Sequence, residues 1–136
     1  MTLTDTGPLV AMVARTDECH ADCIKAAKQL PPGPMLTTLP CLTEAMYLVH
    51  QSDGAVGQQT LWEMLAKEVV QLLDLTLPDL YRMQELMDRY SNVPMDFADA
   101  SLLAVAESHE LKRLFTFDSD FRIYRLLDST VLELIP

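Results

Sequence analysis

The chain has 136 residues, of which 49% are hydrophobic, and a formal net charge of −10. Length and apolar content suit one compact domain over residues 1–136 and exclude a disordered chain. The acidic balance argues against a protein that holds nucleic acid by phosphate neutralisation alone, and no run reaches the roughly 20 apolar residues of a membrane span. The N-terminal stretch lacks the basic region of a secretory signal, so a soluble, cytoplasmic protein is expected. In chain order, "LTDT" reads as a short strand running into a helix, "GPLVAMVAR", with Pro8 near its start. "DECHADCIKAAKQL" has helical spacing, "PPGP" breaks the chain, and "MLTTL" is a second short strand. "PCLTEAMYLVHQ" reads as a helix with Thr38 as its cap, followed after Gly54 by a second helix, "AVGQQTLWEMLAKE". "VVQLLDL" reads as a buried β-rich run. "PDLYRMQELMDRYS" is amphipathic, with Leu80, Met83, Leu86, Met87 and Tyr90 on one face. "DFADASLLAVAESHE" is the next helix, "RLFTF" a strand, "DSDFRIYR" a turn or short helix, and "TVLELIP" a last strand.

Strands alternating with helices predict an α/β domain around a mainly parallel sheet. Such sheets place ligands beyond the C-terminal ends of their strands. Asp5 ends the first strand, and Asp118 follows "RLFTF". Asp99 lies in the first turn of its helix, and Glu44 in the first turns of the helix after "MLTTL". Four acids from four distant segments are thus candidates to meet at one sheet edge. Each also suits a structural role: Asp5 and Asp96 as helix caps, Asp99 at the third helical position, Asp118 in a turn, Glu44 as an early helix acid. Gathered together, carboxylates repel and retain protons unless a cation joins them. Mg²⁺ and Mn²⁺ favour such oxygen donors and stabilise charge on a phosphate, which is the physical logic of a metal-dependent nuclease. No G-x-x-x-x-G-K-[ST] loop, no G-x-G-x-x-G and no His placed for a Ser or Cys triad competes with that reading.

The three cysteines, Cys19, Cys23 and Cys41, are an odd number and do not suggest a disulfide framework. "ECHADC" spaces Cys19 and Cys23 by one helical turn beside His20, but no second Cys/His pair completes a tetrahedral zinc site. They read as reduced thiols.

"LTDTGPLVAMV", Glu44 in "PCLTEAMYL", "MDFADASLLAVAE" and "LFTFDSDFRIYR", in this order and spacing, resemble the PIN-domain family, and in particular ribonuclease toxins of the VapC type. The resemblance covers nearly the whole chain. It implies a three-layer α/β/α fold with a central, mainly parallel five-stranded sheet, and Mg²⁺- or Mn²⁺-dependent cleavage of single-stranded RNA. It places the family's four acids on Asp5, Glu44, Asp99 and Asp118, and its supporting hydroxyls on Thr6 and Thr116. Asp96 is then an extra acid, a cap with a share in the metal site. Arg15, Lys112, Arg113, Arg122 and Arg125 are candidates to guide RNA. The resemblance further implies a homodimer and an antitoxin protein as partner. Two other functions fit the same fold: a non-catalytic module receiving a basic peptide in the acidic pocket, and a housekeeping nuclease for RNA processing or single-stranded DNA. A HAD-type phosphatase does not fit, because "LTDTGPL" lacks the D-x-D start of that chemistry.

Overall fold

A computed structural model describes the whole chain, Met1–Pro136. Five three-residue strands form one sheet: β1 (Thr2–Thr4), β2 (Met35–Thr37), β3 (Val70–Leu72), β4 (Arg113–Phe115) and β5 (Glu133–Ile135). Their order is β3-β2-β1-β4-β5, and every neighbouring pair is parallel. The helices are α1 (Thr6–Val13), α2 (His20–Ala27), α3 (Leu39–Ala66), α4 (Leu77–Arg89) and α5 (Phe97–Ser108), with a 3₁₀ turn over Ser119–Arg122.

Strand alternation divides the core in two. Leu3, Leu36 and Leu114 pack with Met83, Leu86 and Tyr90 of α4 and with α5, on one face. Met35, Val70 and Phe115 pack with Leu9 and Val13 of α1, Cys23 of α2, and Ala45, Val49 and Leu61 of α3, on the other. The three-layer α/β/α arrangement expected from the sequence is therefore present. Chain order explains it: crossovers running β1 to β2 to β3 lie on one face, and the crossover that returns past β1 to β4 lies on the other, as right-handed connections require. The sheet thus reverses its growth at β1, and the crevice between the ends of β1 and β4 is its switch point.

Local signals set the helix boundaries. Asp5 and Asp96 cap α1 and α5, and a capping box joins Thr76 to Asp79 at the start of α4. Gly54 interrupts α3 with φ 61° and ψ −151°, a conformation reserved for glycine, and so separates the two helical segments expected there. Three expectations need correction. The run "VVQLLDL" is only partly buried: β3 is an edge strand, with Val70 inside but Gln71 and Leu72 exposed. Leu80 lies outside the buried face of α4, 39% exposed, because it faces a surface groove rather than the sheet. Thr38 stands at the cap position of α3 but caps nothing; its hydroxyl lies 2.6 Å from that of Ser101 in α5. No helix is long and apolar enough to cross a membrane.

Candidate active site

The C-terminal edge of the sheet carries the predicted acids, each held by the start of the element that follows its strand. Asp5 leaves β1 and caps α1: its Oδ1 accepts the Thr6 amide at 2.7 Å, and its Oδ2 accepts the Thr116 hydroxyl at 2.7 Å. The same Thr116 hydroxyl accepts the Asp118 amide at 3.0 Å. One threonine therefore ties the acids after β1 and β4 together across the switch point. Asp118 caps the 3₁₀ turn by accepting the Asp120 amide at 2.9 Å. Glu44, one turn into α3, accepts the Thr6 hydroxyl at 3.2 Å, which links it to the start of α1. Asp96 caps α5 by accepting the Asp99 amide at 2.8 Å, so the expected division of labour between a capping Asp96 and a third-position Asp99 matches the backbone geometry.

Asp5 and Asp99 are buried, each 8% exposed, whereas Glu44 and Asp96 are exposed and Asp118 is half-buried. Burial pushes the Asp5 carboxyl up to about 6, with smaller additions from Asp118 and Asp96 that its two hydrogen bonds only partly oppose. Burial also holds Asp99 well above the ordinary carboxylate range, reinforced by Asp96, Asp5 and Asp118. Glu44 is raised by partial burial and by Asp96. Asp5 and Asp99 thus each feel Asp96 and Asp118, and Glu44 feels Asp96. None of them forms an ion pair: the salt bridges of the protein join Arg82 to Glu85 and Glu107, and Arg113 to Glu133.

The donor set is one that a hard divalent cation favours, and the unrelieved repulsion is the deficit such a cation fills. The acids do not form a closed cage, since no three His, Cys, Asp or Glu side chains lie close enough to enclose an ion. An open set suits Mg²⁺ or Mn²⁺ better than a structural zinc, because Mg²⁺ is ordinarily held through one or two carboxylates with water filling its other positions.

Two further participants are not marked by any sequence pattern. Tyr124 is fully buried between Tyr90 and Phe121, and its hydroxyl donates to Asp99 Oδ2 at 3.4 Å. Ser101, buried in α5, holds Thr38 at the end of β2. Tyr124 is 25 residues from Asp99, and Ser101 is 63 residues from Thr38, so only the fold makes these contacts.

The basic candidates do not converge. Arg15 follows α1, whose first residue adjoins Asp5, and so lies about 12 Å further along the helix axis. Lys112 and Arg113 stand at the start of β4, the opposite edge of the sheet, where Arg113 pairs with Glu133. The Arg125 guanidinium donates to the carbonyls of Arg122, Ile123 and Tyr124. Arg122 is exposed beyond Asp118. The cysteines are free: Cys23 and Cys41 are buried, and Cys23 donates to the Pro8 carbonyl.

The family model of the PIN domain matches residues 2–126. The chain belongs to the PIN-domain family. Among solved structures, this PIN domain is similar to Mycobacterium tuberculosis VapC20, a sarcin–ricin loop cleaving toxin, with a TM-score of 0.85 at 20% identity over 100% of both chains. It is also similar to a toxin–antitoxin complex from Klebsiella pneumoniae, with a TM-score of 0.67 at 21% identity over 89% of this chain and 90% of the other. VapBC2 from Rickettsia felis, bound to a DNA fragment from its promoter, aligns with a TM-score of 0.66 at 15% identity, covering 99% and 98%. At these identities the likeness is one of fold. No curated protein sequence matches the chain.

Proposed function

We propose that this PIN domain is a divalent-metal-dependent endoribonuclease that cleaves single-stranded RNA phosphodiesters, and that it is the toxin of a type II toxin–antitoxin pair. The observation that supports this chemistry is that Thr6 joins Asp5 to Glu44 and Thr116 joins Asp5 to Asp118 at the switch point, with no cation paired to any of these acids or to Asp99. The cleavage and the antitoxin partner are supported by the fold neighbours: VapC20 is a toxin that cleaves the sarcin–ricin loop, and the Klebsiella structure is a toxin–antitoxin complex.

Asp5, Asp99 and Asp118 would hold Mg²⁺ or Mn²⁺, with Glu44 and the capping Asp96 at the rim. Bound there, the ion supplies an activated water and neutralises charge on the phosphate. The protein's part is positioning. Thr116 sets Asp5 and Asp118 with one hydroxyl, Thr6 sets Glu44 against α1, and Tyr124 steadies Asp99. A homodimer is also proposed, and apolar side chains exposed on α4, Leu77, Leu80 and Tyr81, support it; sedimentation as a monomer at micromolar concentration would rule that dimer out.

The deciding experiment is cleavage of a labelled single-stranded RNA pool with Mg²⁺, Mn²⁺ or EDTA, beside folded Asp99→Asn protein. Cutting that needs the metal and Asp99 is the expected result. Cutting that survives EDTA, or that folded Asp99→Asn retains, overturns the proposed site. Growth arrest on expression, relieved by a co-expressed antitoxin, separates a toxin from a housekeeping nuclease.

A further inference from the structure

An acidic chain that cuts RNA must hold its substrate without a basic track. Two exposed phenyl rings adjoin the acids. Phe97, 50% exposed, is the first residue of α5, between the capping Asp96 and Asp99. The helix is buried continuously from Ala98 to Ala106, so this ring is its one large apolar side chain in solvent. Phe97 lines a groove of about 740 Å³ with Leu39, Thr43, Glu44, Leu75 and Leu80, and Glu44 makes that groove continuous with the acid cluster. Phe117, 37% exposed, stands between Thr116 and Asp118. Its ring lies over Gly7 in the first turn of α1 and is braced edge-on by Phe115, with centroids 6.0 Å apart. Phe97 faces the β2–β3 side and Phe117 follows β4, so in sheet order Asp5, at the end of β1, lies between the two rings.

We propose that Phe97 and Phe117 are stacking platforms for two unpaired nucleobases, one on each side of the phosphodiester that is cleaved at the acids. This rests on the ribonuclease reading above and names how its substrate is held. The charge distribution selects the occupant. Glu44 and Asp74 line the groove and repel a phosphate, while a neutral base offers a π-face to the ring and amino hydrogens to the carboxylates. One free cation, Arg122, stands on this edge at the end of the 3₁₀ turn after Asp118; the others that could track a backbone are elsewhere, with Arg113 paired, Arg125 turned onto carbonyls, and Arg15 and Lys112 away from this edge. The groove is of the size that holds one small planar ligand, and stacking works without net charge and without strict sequence preference. It also requires a single strand, since paired bases hide their faces.

The test compares wild type, Phe97→Ala, Phe97→Trp, Phe117→Ala and Phe117→Tyr on one defined single-stranded RNA with Mn²⁺. The same RNA is also made with an abasic nucleotide on either side of the cut. Wild-type cleavage that Asp99→Asn lacks comes first; its absence overturns the ribonuclease reading itself. Given that cleavage, each alanine variant is expected to lose about tenfold in kcat/KM, mainly through KM, within the range that stacking on an aromatic ring supplies per base. Tryptophan and tyrosine restore it, which shows that the loss is not misfolding. An abasic nucleotide on the matching side lowers wild type by the same factor and leaves the alanine variant unchanged. Alanine variants that cut like wild type, or that lose as much again on abasic RNA, overturn the platforms and leave the groove to a basic peptide.

Discussion

The two ends of α5 treat their carboxylates differently. At the C-terminal end, Glu107 faces the negative pole of the helix, and its carboxylate takes both Nε and Nη2 of Arg82 at 2.9 and 3.0 Å. At the N-terminal end, Asp96 and Asp99 sit with Asp5, Glu44 and Asp118 nearby and no arginine or lysine paired to any of them. Burial, reinforced by the neighbouring carboxylates, keeps Asp99 and Asp5 well above the ordinary carboxylate range, and the helix dipole and amide hydrogen bonds offset only part of it. One end of the helix therefore spends its carboxylate on joining α4 to α5. The other end leaves its carboxylates without a cationic partner, which is the feature the proposed metal site rests on.

Several changes test that contrast. The largest effect is expected from Asp99→Asn. Loss of a residue that only orients a ligand typically costs 10–100-fold, so loss of a ligand should lower RNA cleavage by more than about 100-fold, measured on protein whose circular dichroism is unchanged. Thr116→Val comes next. It removes the donor to Asp5 and the acceptor for the Asp118 amide, and should lower kcat by about 10–100-fold while the fold persists.

At the paired end the readout changes from activity to stability. Arg82→Ala leaves Glu107, whose side chain is 9% exposed, without its cation. It should destabilise the fold by about 2–3 kcal/mol in urea denaturation and leave the cleavage rate of the folded fraction unchanged.

The metal-free protein should also respond to pH in the sense opposite to a paired acid. Burial raises the folded-state pKa of Asp5 above its unfolded value. As pH rises from about 4 to about 6 the unfolded chain releases that proton first, and the fold loses about 1–3 kcal/mol. Asp99 extends the loss to higher pH. Thermal melts should show stability falling over this window, a shallower fall in Asp99→Asn, and recovery of wild type, more than of the variant, on adding Mn²⁺ at neutral pH. A protein whose stability rises over the same window would place cations beside those acids after all. The smallest effect is expected from Arg15→Ala: at the far end of α1, it should change cleavage by no more than about twofold.

Much of this was legible in the residues. The caps at Asp5 and Asp96, the break at Gly54 and the strand–helix alternation are local signals, and the local backbone obeys them. Thr38 shows the limit. It has the residue type and position of a cap, yet a hydroxyl 63 residues away claims its side chain. Leu80 and the run after Val69 show another: periodicity marks apolar residues but does not say which strand ends up at an edge or which face meets a groove.

By itself the sequence determined the element order, the helix starts and the family, because hydrophobic spacing, capping chemistry and an ordered set of short motifs act over a few residues each. Only the tertiary structure decided that β1 lies at the centre of the sheet, that Thr116 bridges the acids after β1 and β4, that Tyr124 donates to Asp99, and that Arg15, Lys112 and Arg113 lie away from the acids. Those depend on strand order and side-chain packing between segments up to 111 residues apart, and no local pattern encodes which distant partner a buried polar group will meet.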